Sequence, residues 1–245
     1  MNSNVIRIRQ TTPMEEGAGA RVRRLFPVAG CRNHDPFVLW DHFEIAPGSG
    51  FPSHPHRGFE AITYLFEGAM EHADNLGNRS TVGAGGAQRF TAGRGIIHSE
   101  MPGSTGKTRG IQLWINLPQR LKSLPPGYQA LSAEELPEQR WEGGRKRIIV
   151  GGDSPLELQT PVEYFSLVLD PGGSYSWTPP ESTSGLVYVV EGEAALPGHT
   201  LAQGSAALLD DCDTLELGSQ GGCQLMVCFG RRWGEPIYQH GPYVD

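Results

Sequence analysis

SGFPSHPHRGFE, residues 49–60, reads as an extended segment, because Pro52 and Pro55 exclude a helix and glycines bound it on both sides. In a strand, residues i and i+2 share a face, so His54 and His56 point both imidazoles the same way. TAGRGIIHSEMP (91–102) repeats the arrangement with His98 and Glu100. Two such strands facing each other across a barrel interior would bring three ring nitrogens and one carboxylate to one point. An isolated His-x-His pair is more often structural than metal-binding; the matching His-x-Glu pair in the same Gly/Pro-rich setting reverses that balance. Three imidazoles and a carboxylate without a thiolate suit Fe(II), Mn, Ni, Cu or Zn, in a site that keeps positions open for water or substrate. His34, His42, His72, His199 and His240 lack such partners and read as structural or exposed; His72, near the cluster at a strand end, comes closest to an exception. Phe51, Phe59, Phe90 and Met101 flank the ligands and read as core more readily than as pocket lining.

Outward from these stretches, strand signals dominate. Residues 59–66 (FEAITYLF), 110–115 (GIQLWI), 147–150, 164–169 and 185–190 (GLVYVV) are apolar runs bounded by Gly, Pro, Asp or Asn. The 33 glycines and 19 prolines are scattered, as many short strands joined by turns require. Ser132 with Glu135 makes a capping-box start to one or two helical turns over 132–136. ITYLFEGAMEH (62–72) resembles LVYVVEGEAAL (186–196): an apolar strand, Glu-Gly, then another strand. Two copies of one barrel fit the 245 residues, and the Pro-, Gln- and Arg-rich stretch 117–145 then reads as the connection.

The net charge of -7 argues against direct nucleic-acid binding, since no basic stripe is present to displace counterions from a phosphate backbone. No run of 18 apolar residues suggests a membrane span, and MNSNVIRIRQ lacks the apolar core of a signal peptide; the expectation is a cytoplasmic protein. Cys31, Cys212, Cys223 and Cys228 have no CxxC spacing and read as buried thiols.

The spacing of Gly48, the HPH triplet and Glu60 matches the first cupin motif. HPHRGFE (54–60), TAGRGIIHSE (91–100), LWINLP (113–118), the PPGYQ that follows, GEPIYQHGPYVD (234–245), RVRRLFP (21–27) and DPFVLWDHF (35–43) all resemble the pirin family, over nearly the whole chain. The resemblance implies an all-β bicupin of two antiparallel double-stranded β-helix (jelly-roll) barrels packed face to face. Residues 1–125 would form an N-terminal cupin domain holding the metal and 126–245 a C-terminal one without it. In that family the two His of HPH and the His and Glu of HSE bind the metal, which are His54, His56, His98 and Glu100 here, with Fe(II) the expected ion and Ni, Mn, Cu, Co or Zn the other options. In ordinary cupins the Glu of the first motif coordinates; its equivalent is Glu60, whose parity puts it nominally on the same face, beside the ligands. In the second copy Thr178 and Pro180 stand where His54 and His56 stood and Ser184 replaces Glu60, so no second metal site is expected.

The resemblance further implies a quercetin 2,3-dioxygenase, cleaving a flavonol with O2 and releasing CO, with Glu100 as the catalytic base for the flavonol hydroxyl. It equally supports a redox- or metal-sensing binding protein acting on a transcription factor or metabolic enzyme. A fold and a site do not by themselves decide between these.

Overall fold

The computed structural model describes residues 5–103 and 106–245, and almost every regular element in it is a β-strand; the one helical element among them is a 3-10 turn at Gln119–Leu121. Backbone contacts divide the chain into two compact units. The first comprises Thr12–Leu136, Leu158–Thr160 and Trp233–Asp245. The second comprises Pro137–Glu157, Pro161–Arg232 and the N-terminal stretch up to Thr11.

The first unit is built on two larger antiparallel sheets, together with a two-stranded hairpin of Gln239–His240 and Tyr243–Val244. One has seven strands in the order Gly127–Leu131, Ala87–Thr91, Phe59–Glu67, Thr108–Asn116, Phe37–Ile45, Ala20–Phe26 and Thr12–Glu16. The other has four, in the order Phe51–His56, Ile96–Pro102, Ala69–Asp74 and Arg79–Gly83. Phe59, Ala61, Phe90, Ile96 and Trp114 form one buried cluster of this unit; Val22, Phe43, Leu65, Met70 and Val82 form another. Along Ile96–Pro102 the side chains of Ile96, His98 and Glu100 are buried while Ile97 is exposed, the period-two pattern of a strand with one face inward. Gly127–Leu131 pairs with Ala87–Thr91, so the stretch read as a connection is partly strand. Its apolar Leu131 is buried.

The second unit holds Thr183–Leu196 at the centre of its sheet, paired with both Cys223–Arg231 and Ser205–Asp210, the last of which also accepts Val5–Gln10. Phe165, Leu167, Val187, Val227 and Phe229 fill its interior, with Trp177 packed edge-on against Phe165 and Phe229, each at 5.4 Å between ring centres. Thr178 and Pro180 lie in irregular chain just after the strand Ser174–Trp177, and Ser184 donates a hydrogen bond to Asp210. All four cysteines are free and Cys31, Cys223 and Cys228 are buried, as expected of packing thiols.

The internal repeat has a structural counterpart. Gly68 and Gly192 both adopt positive φ, 76° and 79°, where the chain passes from one half of the motif to the next. A Cβ on Gly68 would stand 2.3 Å from the Lys107 carbonyl oxygen, and one on Gly192 would stand 2.4 Å from that of Gly222. Glu-Gly therefore recurs because the turn needs a left-handed residue without a side chain. Gly192→Ala should cost about 2–4 kcal/mol, read as a lower urea midpoint; an unchanged midpoint would show that the turn tolerates a side chain.

The helix expected over 132–136 is a single turn. Its capping-box bond is present, Ser132 N–H donating to the Glu135 carboxylate at 2.8 Å. Pro137 follows at once, and a residue before proline is pushed out of the helical region.

Candidate metal centre

Phe51–His56 and Ile96–Pro102 are antiparallel neighbours with His54 opposite His98 and His56 opposite Ile96. Opposed residues share a face, so three imidazoles converge. The Nε2 atoms of His54 and His56 are 2.9 Å apart, those of His54 and His98 are 3.1 Å apart, and ligand atoms of all three lie within 4.8 Å of one another. The Nδ1 of His54 lies 2.7 Å from the Pro52 carbonyl oxygen and that of His56 3.2 Å from the Pro242 carbonyl oxygen. A carbonyl only accepts, so each Nδ1 carries the proton and each Nε2 presents a lone pair. Two lone pairs facing each other are repulsive unless a cation lies between them. Two nitrogens each about 2.1 Å from one ion and at right angles stand about 3.0 Å apart, the separation seen here. The donor set thus fits a divalent transition metal.

Aromatic walls enclose the trio. His56 stacks flat on Phe90 (5.4 Å, 7°) and meets Trp114 and Phe59 edge-on at 4.9 and 5.1 Å. Burial, with the neighbouring His54 adding to it, pushes the His56 pKa down to about 3, and burial holds His98 well below the usual histidine value. Both rings are therefore neutral at physiological pH, the state that ligation requires.

Glu100 stands on the same strand face, 4 % exposed, beyond a register shift that falls between His98 and Glu100. The compact donor group comprises the three histidines; the Glu100 carboxylate is held by amides and a hydroxyl. Its Oε1 accepts from Gln88 Nε2 at 2.6 Å and Thr63 Oγ1 at 3.0 Å, and its Oε2 accepts from Gln112 Nε2 at 3.3 Å. Gln88 is fixed in turn by the Tyr128 hydroxyl, which donates to its Oε1 at 2.7 Å. The Tyr128 ring stacks on His72 at 3.9 Å, and His72 Nε2 lies 3.2 Å from Asp74. His72 thus buttresses the layer behind Glu100.

Glu60 faces elsewhere than the parity argument supposed. It is fully buried, and its carboxylate accepts from Thr91 Oγ1 at 2.8 Å, Gln159 N–H at 2.9 Å and Thr160 N–H at 3.1 Å. A fully buried carboxylate sharing a strand with apolar neighbours needs such donors, and the segment Leu158–Thr160 supplies them. Burial raises its pKa against these hydrogen bonds.

A cavity of about 790 Å³ opens over the histidines, with His54, His56 and Glu100 in its lining, within the range for small-molecule sites. Phe51 and Trp114 line it, while Phe59 and Phe90 belong to the core. Also in the lining is Arg24, bound bidentately to Asp41 at 2.9 and 2.6 Å. Thr63, Gln88, Gln112 and Tyr128 were not anticipated from the sequence. The available signal was a polar residue inside an otherwise apolar strand, as in ITYLF (62–66) and GIQLW (110–114).

The family model described as Pirin matches residues 19–115, and that for the pirin C-terminal cupin domain matches 164–245. A pirin-like protein of Caulobacter vibrioides is 35% identical, the match covering 98% of this chain and 91% of that protein. Human pirin is 36% identical, with 94% of this chain and 83% of the relative covered. The crystal structure of a quercetin 2,3-dioxygenase from Acinetobacter baumannii superposes with a TM-score of 0.89 at 28% identity, over 97% of this chain and 90% of that one. Among the described residues no helix is long and apolar enough to cross a membrane.

Proposed function

Since this chain belongs to the pirin family, we propose that it is a metal-dependent dioxygenase that opens quercetin-type flavonols with O2, with His54, His56, His98 and Glu100 as the metal ligands and Fe(II) as the ion. The observation that carries this reading is the convergence of three Nε2 atoms beside a cavity that His54 and His56 line and that is large enough for a three-ring ligand. The similarity to the Acinetobacter quercetin 2,3-dioxygenase supports the substrate class.

An ion at this centre supplies Lewis acidity toward a flavonol hydroxyl and a redox route to O2. The remaining work belongs to side chains. Glu100 also takes the hydroxyl proton: Oε1 is committed to Gln88 and Thr63, so Oε2, with only a long bond from Gln112, would hold the ion at rest and accept the proton in its place when the flavonol binds. Burial keeps the Tyr128 phenol protonated, so it continues to donate to Gln88 and keeps the Glu100 carboxylate aimed. Trp114 and Phe51 offer flat apolar surface to the rings of the substrate and exclude water from the reacting end.

Protein loaded anaerobically with Fe(II), Mn, Ni or Cu and then mixed with quercetin and O2 is expected to consume oxygen and bleach the flavonol absorbance with at least one of the four. Failure of all four beside an active dioxygenase control would sink the enzymatic reading and leave the regulatory one.

A further inference from the structure

GEPIYQHGPYVD (234–245) belongs to the first unit although it follows the whole of the second in sequence. Its last residues form a small hairpin, Gln239–His240 pairing with Tyr243–Val244, closed by reciprocal backbone bonds between Tyr238 and Asp245. The hairpin is pinned to the segment that follows the HPH triplet. Val244 is fully buried; its N–H donates to the Arg57 carbonyl at 3.0 Å. Its own carbonyl accepts from Lys122 Nζ at 2.9 Å, and Lys122 spends its other two protons on the Gly58 carbonyl and Asn116 Oδ1, also at 2.9 Å. The approach is so close that a Cβ on Gly58 would lie 1.8 Å from the Val244 oxygen. Arg57 pairs with the Asp245 carboxylate at 2.9 Å and lies over the Tyr243 ring at 4.9 Å.

Two features connect this hairpin to the chemistry. The Pro242 carbonyl is the acceptor for His56 Nδ1–H, and Gln239, Gly241 and Pro242 line the cavity. A ligand imidazole needs its outer nitrogen held by an acceptor, because otherwise the ring also samples the tautomer that carries hydrogen on the metal-facing nitrogen. For His54 that acceptor is Pro52, two residues away and on the same strand. For His56 it is the hairpin.

We propose that the hairpin 238–245 is a positioning element of the metal centre: the Pro242 carbonyl holds His56 in the ligand tautomer, and Gln239, Gly241 and Pro242 form one wall of the substrate cavity. This rests on the metal reading of the three histidines. Docking of the hairpin and occupation of the site are then one coupled equilibrium, and each favours the other by the same factor.

A hairpin that only covers apolar surface would, when lost, lower stability and leave metal affinity unchanged. Ni(II), inert to air, serves as the probe in calorimetric titrations of the full chain, of Lys122→Met, and of a chain lacking residues 239–245. The truncation is expected to weaken Ni(II) about 10–100-fold, and Lys122→Met, which removes the clamp on Val244 and touches no ligand, about tenfold. In the full chain, saturating Ni(II) should slow amide exchange at Val244 by a comparable factor. Wild-type Ni(II) affinity in Lys122→Met, or exchange at Val244 indifferent to Ni(II), overturns the proposal. A truncated chain that does not fold leaves the decision to those two measurements. If the full chain binds no Ni(II), the metal reading itself falls, and the coupling falls with it.

Discussion

His56→Ala is expected to reduce bound metal from stoichiometric to undetectable after dialysis, measured by elemental analysis of purified protein. His56 is the ring of the trio that packs against Phe59, Phe90 and Trp114 together. It contacts His54 and His98 at ring-centre distances of 4.6 and 5.0 Å and packs on Phe90 and Trp114. Its removal leaves two imidazoles on opposed strands and the Glu100 carboxylate, one of whose oxygens already accepts from Gln88 and Thr63, too few free donors to hold the ion through dialysis. The vacated space costs about 2–4 kcal/mol of stability as well, so circular dichroism must show that the variant is folded. Folded His56→Ala protein that retains stoichiometric metal would refute the histidine trio as the site.

Glu60→Ala should produce the largest loss of stability among single substitutions near the site, about 3–5 kcal/mol. It strips the acceptor from Thr91 Oγ1 and from the N–H groups of Gln159 and Thr160, and each buried donor left without a partner costs about 1–3 kcal/mol. For a chain of this size that amounts to a fall of about 10 °C in melting temperature. Metal content per folded molecule should be unchanged, because the carboxylate is turned toward Leu158–Thr160. A stable Glu60→Ala protein that has lost its metal would reverse the assignment and return Glu60 to the coordination sphere. The experiment thus separates the two roles that a glutamate at this motif position can play.

The histidine centre was legible because it is local. The period of a strand places His54 with His56 and His98 with Glu100 on common faces, and two prolines make the first of those strands extended. Glu-Gly at 67–68 and 191–192 was legible for a similar reason: a left-handed turn admits few residues. Glu60 shows where parity fails. Counting along a strand says which face a side chain leaves from, but a buried carboxylate goes where donors are, and the donors at 159 and 160 lie a hundred residues on. Gln88, Gln112 and Tyr128 escaped for the same cause, since each reaches Glu100 or its partner through strand pairing that no short window contains. The Ser132–Glu135 cap forms and leads into a single turn, the shorter of the two lengths expected, because Pro137 stops the chain from extending it.

The hydrogen bond from His56 to Pro242 joins residues 186 positions apart. At a synthesis rate of about 5–20 residues per second, the acceptor leaves the ribosome on the order of 10–40 s after the histidine. All of the strands carrying His54, His56 and His98 are out long before the peptide that orients one of them. For that interval the nascent chain carries the imidazoles of the centre without the carbonyl that selects the His56 tautomer, and it gains that carbonyl only after the entire second unit has been translated.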